Sequence, residues 1–253
     1  MYAGGDHETP QVLARLMLTA GKSQETLDAD LLLRRHTSRL PYDGKPIPED
    51  VITELETEAA RYGHGFRSSS KQQDIAWVKT LNKNSLFNDL EDKGIREELK
   101  LWLRYSNKHA QQKRDGLSAE CLYMPGWLLK SFFHHHRFWT MPGMRQMVER
   151  IYLGTMKGIG TIAWLQGPYK DEQDWVKAGK VMIRLWLILT RHGIYWHPYG
   201  SVITNDTSRN ELLQHLGLPD ESDGENMIWL LLRMGYSAEP PHSERLQLED
   251  ILI

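Results

Sequence analysis

The sequence predicts an α+β fold in which helix dominates, and three segments carry that reading. Gly158 to Leu165 is rich in β-branched and aromatic residues, the composition of a buried strand. Asp171 to His192 places Trp175, Ala178, Met182, Leu185 and Leu189 at helical spacing, while Val181, Ile183, Trp186, Leu187 and Ile188 widen the apolar face nearly all round. A helix apolar on most sides is buried on most sides, and Gly193 supplies its stop. Met227 to Gly235 reads as a second core strand, with Arg233 near its end.

The other elements follow in order. Val12 to Leu18 and Thr26 to Arg35 show helical spacing, broken by Gly21-Lys22-Ser23. Pro41-Tyr42-Asp43-Gly44 is a turn. Pro46-Ile47-Pro48-Glu49-Asp50 then opens a helix, because proline suits the first turn and acids there favour the dipole. Val51, Ile52, Leu55 and Ala59 form its apolar face, and Gly63 and Gly65 end it. Gly65 to Lys71 is a weaker strand, and Ile75, Val78, Leu81, Leu86 and Leu90 trace the next helix. Glu97 to Arg104 is a short amphipathic helix. Ser106 to Ser118, polar and containing Asp115-Gly116, reads as a long exposed loop or lid. Leu117 to Lys130 and Gly143 to Tyr152 are helical around an aromatic stretch.

Composition narrows the function. Hydrophobic residues at 40% and charged residues at 25% describe a foldable globular chain. A net charge of −2 argues against a general nucleic-acid binder. No secretory signal is visible, and the longest apolar run, Val181 to Thr190, is too short to span a bilayer and contains Arg184. The single Cys121 has no internal partner for a disulfide, which points to a reducing, cytoplasmic setting. Met1-Tyr2-Ala3-Gly4-Gly5-Asp6 reads as a loop leaving an earlier strand, and residues 1–24 as a connector from a missing N-terminal half.

The densest chemistry is Arg34-Arg35-His36-Thr37-Ser38-Arg39, with a counterpart in Pro240-Pro241-His242-Ser243-Glu244-Arg245. Guanidinium forks and hydroxyls spaced this closely grip phosphate oxygens. In an extended segment Arg35, Thr37 and Arg39 point the same way. The bland alternative is a helix end whose cations complement the dipole. His134-His135-His136 is a poor metal site, since adjacent side chains diverge and no acidic or cysteine partner lies at ligand spacing. Asp115 and Glu120 have no pairing that makes them an acid and a base, and Gly158-x-Gly160 lacks the helix of a dinucleotide fingerprint. After the long helix, His192-Gly193 and then His197-Pro198-Tyr199-Gly200 form a turn able to approach a flat ligand closely, or equally a plain cap and loop.

Taken in order, several short motifs resemble the nitroreductase superfamily of flavin proteins, and its Acg-like branch in particular. They are Arg35-His36-Thr37-Ser38-Arg39, Glu98-Leu99-x-x-Trp102-Leu103-Arg104, Arg114-Asp115-Gly116, Trp175-x-x-Ala178-Gly179, His192-Gly193 before Pro198, Leu232-Arg233-x-Gly235-Tyr236 and Arg245-x-x-Leu248-Glu249-Asp250. The resemblance begins at Leu13-Ala14-Arg15-Leu16 and runs essentially to the C-terminus. It implies a nitroreductase-like α+β fold with a central mixed sheet, spanning residues 25–253 with a lid-like insertion around 105–145. It also implies noncovalent FMN. Arg35, Thr37 and Arg39 would take the phosphate and the ribityl or ring oxygens, Arg245 would close on the phosphate, and Pro198, Tyr199 and Gly200 would lie along the ring with a backbone N–H near the reactive nitrogen. No catalytic residue is implied.

One departure stands out. Where relatives carry an Ala-Pro-Ser-x-x-Asn-like clamp for the partner's flavin, this chain has Ala60-Arg61-Tyr62-Gly63-His64-Gly65-Phe66-Arg67-Ser68. Acg-like proteins resemble a homodimer fused into one chain, so the expectation is the second half of such a pair, acting as a homodimer or pseudo-dimer and holding flavin weakly on its own. The implied activity is reduction of a small nitro, quinone or similar acceptor, with NADH or NADPH as donor. The rival readings are a flavin-sequestering protein without turnover and a flavin-free interaction module using Phe132 to Trp139.

Overall fold

The structure is a computed structural model that describes residues 27–28, 30–218, 224–247 and 249. The readings for Val12 to Leu18, Leu13-Ala14-Arg15-Leu16 and the 1–24 connector lie outside those residues.

Alternation of apolar side chains along four strands organises the fold. β1 (Gly65–Ser69), β4 (Thr161–Gly167), β5 (Tyr195–Pro198) and β6 (Met227–Gly235) form one sheet in the order β1-β4-β6-β5. Each pairing is antiparallel. A parallel bridge from Thr37 to Trp196 lies at the β5 edge, which makes the sheet mixed. The two-residue strands β2 (Leu103–Arg104) and β3 (Leu117–Ser118) pair in parallel elsewhere.

Successive residues of a strand face opposite ways, so the sheet carries two cores. On one face Ala163, Leu165, Trp196, Leu232 and Met234 pack against α2 (Glu49–Ala60) and α9 (Glu172–Arg191). On the other, Ile162, Ile228 and Leu231 pack against α3 (Gln72–Asp89), α10 (Gly200–Thr204) and α11 (Asp206–Leu216), with Tyr42 and Tyr199. Arg233 lies between Leu232 and Met234 and pairs with Ile162 and His197, which puts it on this second face. A satellite core of Leu90, Leu103, Ala119, Leu129 and Phe133, with Leu86 and Leu99 packed against it, joins α4 (Lys93–Trp102) and α6 (Gly126–His134) to α3, while α5 (Asn107–Lys113) lies against β2 and β3 and α7 (His136–Trp139) against α6. α8 (Met144–Thr155) leads back to β4.

Most predicted elements are present, with shifted ends. The Pro46–Asp50 start is borne out: Pro48 is the N-cap of α2, and Val51, Leu55 and Ala59 are buried. The long helix runs from an Asp171 cap whose carboxylate accepts the Asp174 N–H. It is less enclosed than its composition predicts. Trp175 is 47% exposed and Val176 60%. Gly158 and Gly160 precede β4 instead of opening it. A Cβ on Gly158 would sit 1.8 Å from the Tyr42 carbonyl oxygen, so the chain at Tyr42 to Pro46 lies directly against these glycines.

Ser106 to Ser118 is not a long loop. Ser106 caps α5 through the His109 N–H, Arg114 closes it in the left-handed region, and β3 follows. Asp115, read as unpaired, accepts from buried Arg104 Nε at 2.9 Å. A polar sequence conceals this order because the segment is held by a cap and an ion pair instead of an apolar face.

Candidate functional site

Residues 35–39 leave α1 (Asp30–Arg34) and run extended beside β5. The Ser38 N–H donates to the Trp196 carbonyl at 3.1 Å. Ser38 is fully buried, its hydroxyl shares a hydrogen bond with Ser237 at 2.8 Å, and its carbonyl accepts from the Tyr42 phenol at 3.0 Å. Arg35, Thr37 and Arg39 are each half-buried around it. Alternation is thus present, but the two arginines serve different ends. Four residues of extended chain span about 13 Å.

At the outer end, the Arg35 guanidinium lies 4.5 Å from the centre of the Trp186 ring, and its Nε is buried without a hydrogen-bond partner. Burial, and then the neighbouring charge of Arg245, lower its pKa from the usual value. His36 Nε2 and His242 Nδ1 share a hydrogen bond at 2.7 Å. His36, His242, Ser243, Glu244 and Arg245 border a cavity of about 290 Å³, close to the lower limit for small-ligand pockets. The structure therefore brings together the two arginine-bearing segments that lie at opposite ends of the sequence.

At the inner end, Arg39 Nη1 reaches the Cys121 carbonyl at a long 3.5 Å. Burial is the main cause that lowers its pKa, and Arg233 adds to it. Arg233 is 1% exposed. Its guanidinium lies 4.6 Å from the centre of the Tyr42 ring, and Nη2 donates to the Leu40 carbonyl at 3.3 Å. Nε and Nη1 have no partner. His197, opposite Arg233 in the β5–β6 register, also has a buried, unpartnered Nδ1. Burial, then Arg39 and Arg233, hold its pKa well below 6.5, so the ring is neutral.

Of the predicted turn, Pro198 pairs with Leu232, and Tyr199 is 1% exposed with its hydroxyl on the Met156 sulfur. The Tyr199 N–H donates to the Leu231 carbonyl at 2.8 Å, so it is already used and is not the turn's donor to a ring. Gly200, exposed at the start of α10, is the other candidate N–H. His134, His135 and His136 lie at the α6–α7 junction, where His134 bonds the Lys130 carbonyl and His136 faces Glu91. Among the described residues no group of three His, Cys, Asp or Glu is placed to hold a metal ion. None of the described helices is long and apolar enough to cross a membrane.

The sequence reading missed Arg233, His197 and Lys79 as site residues. Arg233 had a usable signal: a charge inside an apolar strand is buried with it and needs compensation. Lys79 had none, since α3 shows its packing only when folded.

No protein-family model matches the sequence, and no curated protein does. The structure is similar to crystal structures of nitroreductases. One is the FMN and NADPH-dependent nitroreductase NfnB from Sphigopyxis sp. strain HMH, with a TM-score of 0.51 and 12% identity over 89% of this chain and 97% of that one. Another is the FMN-dependent nitroreductase NfnB from Mycobacterium smegmatis in complex with NADPH, with a TM-score of 0.54 and 13% identity over 89% and 96%. The chain has the nitroreductase fold. It spans nearly the whole length of one such nitroreductase chain.

Proposed function

We propose that this chain is an FMN-binding oxidoreductase of the nitroreductase type, reducing small nitro, quinone or similar electrophilic acceptors with electrons from NADH or NADPH. One observation carries the reading: on this fold, the segment of Arg35 to Arg39 meets the segment of Arg245, whose side chain borders a small cavity with His36 and whose charge acts on Arg35.

The residues present fit the phosphate end of FMN. Arg35 offers a buried Nε that nothing satisfies, Arg245 adds a second charge, and His36, His242 and Ser243 supply further polar atoms. Thr37 and Arg39 lie farther along the segment for ribityl and ring oxygens, and the Pro198-Tyr199-Gly200 turn contributes through the Gly200 N–H. Bound FMN supplies the hydride and electron chemistry. The protein orients the flavin and neutralises its phosphate, and no side chain is assigned as an acid or base. We place the chain in the Acg-like branch, where a second copy or a fused half completes the flavin clamp that Ala60 to Ser68 does not supply. A cytoplasmic setting suits the reducing chemistry.

Two measurements separate the readings. FMN titrated into the protein should bind saturably, and Arg35→Ala or Arg245→Ala should weaken it at least tenfold, because each removes a charge-assisted contact worth about 1.5–3 kcal/mol. Unchanged affinity in both variants would remove the phosphate grip. Adding NADH or NADPH to the loaded protein should bleach the flavin band. A band that persists supports flavin storage.

A further inference from the structure

A second feature lies apart from the Arg35–Arg245 end and is not explained by it. Three cations approach one another on the α3 face of the sheet: Arg233 from β6, Arg39 from the extended segment and Lys79 from α3. Lys79 follows Val78, which is buried in the same core as Tyr42 and Tyr199, and its pKa is lowered by burial and by the charge of Arg233. Among the described residues, neither Asp nor Glu forms an ion pair with Arg39, Lys79 or Arg233. The groups that face them are phenols, an imidazole and a thiol: Tyr42, Tyr152, Tyr199, His197 and, beside Arg39, Cys121. Burial raises all three phenol pKa values, so these are neutral and supply no negative charge.

Such an arrangement is costly without a counter-charge. Desolvating a cation carries a penalty that only pairing or hydrogen bonding offsets, and like charges in a poorly solvated interior repel. Contact with the Tyr42 ring and one hydrogen bond to the Leu40 carbonyl satisfy only part of Arg233, whose Nε and Nη1 stay unpartnered at 1% exposure. His197 Nδ1 is a further polar atom sealed in the same place without a partner. Arg104, the other buried arginine among the described residues, is compensated by Asp115. The inner cluster differs in being of one sign.

We propose that Arg233, Lys79, His197 and Arg39 form a site for a small dianionic oxyanion, a phosphate-like or sulfate-like group, separate from the Arg35–Arg245 grip. Three cations call for more than one negative charge, and a polyatomic oxyanion accepts from guanidinium, ammonium and imidazole donors together. Arg39 is shared with the proposed flavin site, whereas the other three residues are not, so the inference does not require that FMN binds.

The test uses the full chain, freed of any flavin, and reads thermal unfolding in chloride buffer and in phosphate at matched ionic strength. Phosphate should raise Tm by about 5–10 °C at a hundredfold excess over its Kd. Arg233→Met should raise Tm in chloride and Lys79→Met should raise it less, because an uncompensated charge, buried at Arg233 and partly buried at Lys79, is replaced by an apolar chain of similar size. Each should also lose most of the phosphate effect, whereas Arg245→Ala should keep it. Should Arg233→Met fail to fold, Lys79→Met carries the same comparison. The site is overturned if phosphate gives no shift beyond chloride. It is also overturned if the shift survives Arg233→Met and Lys79→Met but vanishes in Arg245→Ala. A Lys79-dependent shift produced by riboflavin and not by phosphate would equally overturn it, because the cluster would then serve the flavin ring. Failure of FMN to bind leaves the expected phosphate result unchanged.

Discussion

Arg233 shows how much one residue can reveal when its surroundings do not satisfy it. It was visible in the sequence as a charge within an apolar strand, yet its meaning depends on Lys79, Arg39 and His197, which arrive from three other segments. His197 carries a pH prediction. Burial, Arg39 and Arg233 keep its native pKa well below 6.5, while the unfolded ring titrates near that value. The unfolded state therefore binds the extra proton first, and the stabilising contribution present above pH 6.5 declines as pH falls toward the native pKa. The slope is about 1.4 kcal/mol per pH unit for one such group. Depressed values at His36, His64 and His136 act with the same sign. Urea midpoints at pH 7.5, 6.5 and 5.5 should fall more steeply in the wild type than in His197→Phe. Parallel curves would contradict the assignment.

At the scale of elements, the close approach of the Tyr42–Pro46 chain to the start of β4 makes a sharp prediction. Gly158 has φ of +67°, and any Cβ there meets the Tyr42 carbonyl oxygen. Gly158→Ala should cost about 3 kcal/mol or more, read by urea denaturation, since strain and displacement of the segment add. A loss below ~1 kcal/mol would show that the segment moves freely. Glu58 ties α2 to α9: its side chain is 6% exposed and pairs with Arg61 and Arg184. Glu58→Ala should destabilise by about 3 kcal/mol, because it leaves a partly buried cation without that partner. Arg61→Ala, exposed at 66%, should cost less than ~1 kcal/mol. Helices and strands with strong periodicity were legible, including β6 residue for residue. The Ser106 to Ser118 region was not, because capping by Ser106 and the Arg104–Asp115 pair stabilise it through polar contacts that periodicity does not register.

For the whole molecule, the sequence showed which residue types could grip a phosphate, and the fold showed which of them meet. Arg35 and Arg245 lie far apart in the chain, and a single sheet edge with its following segment brings them together. Tyr199 shows what the fold adds to the expected site: its N–H donates to the Leu231 carbonyl. The nitroreductase fold and the position of the arginine segments carry the functional reading, in which FMN is the proposed ligand. The most direct measurement is a paired titration of FMN and riboflavin followed by flavin fluorescence. The account predicts saturable FMN binding, at least tenfold weaker riboflavin binding, and loss of that preference in Arg35→Ala and Arg245→Ala. Equal affinity for the two flavins, or no saturable binding of either, would contradict it.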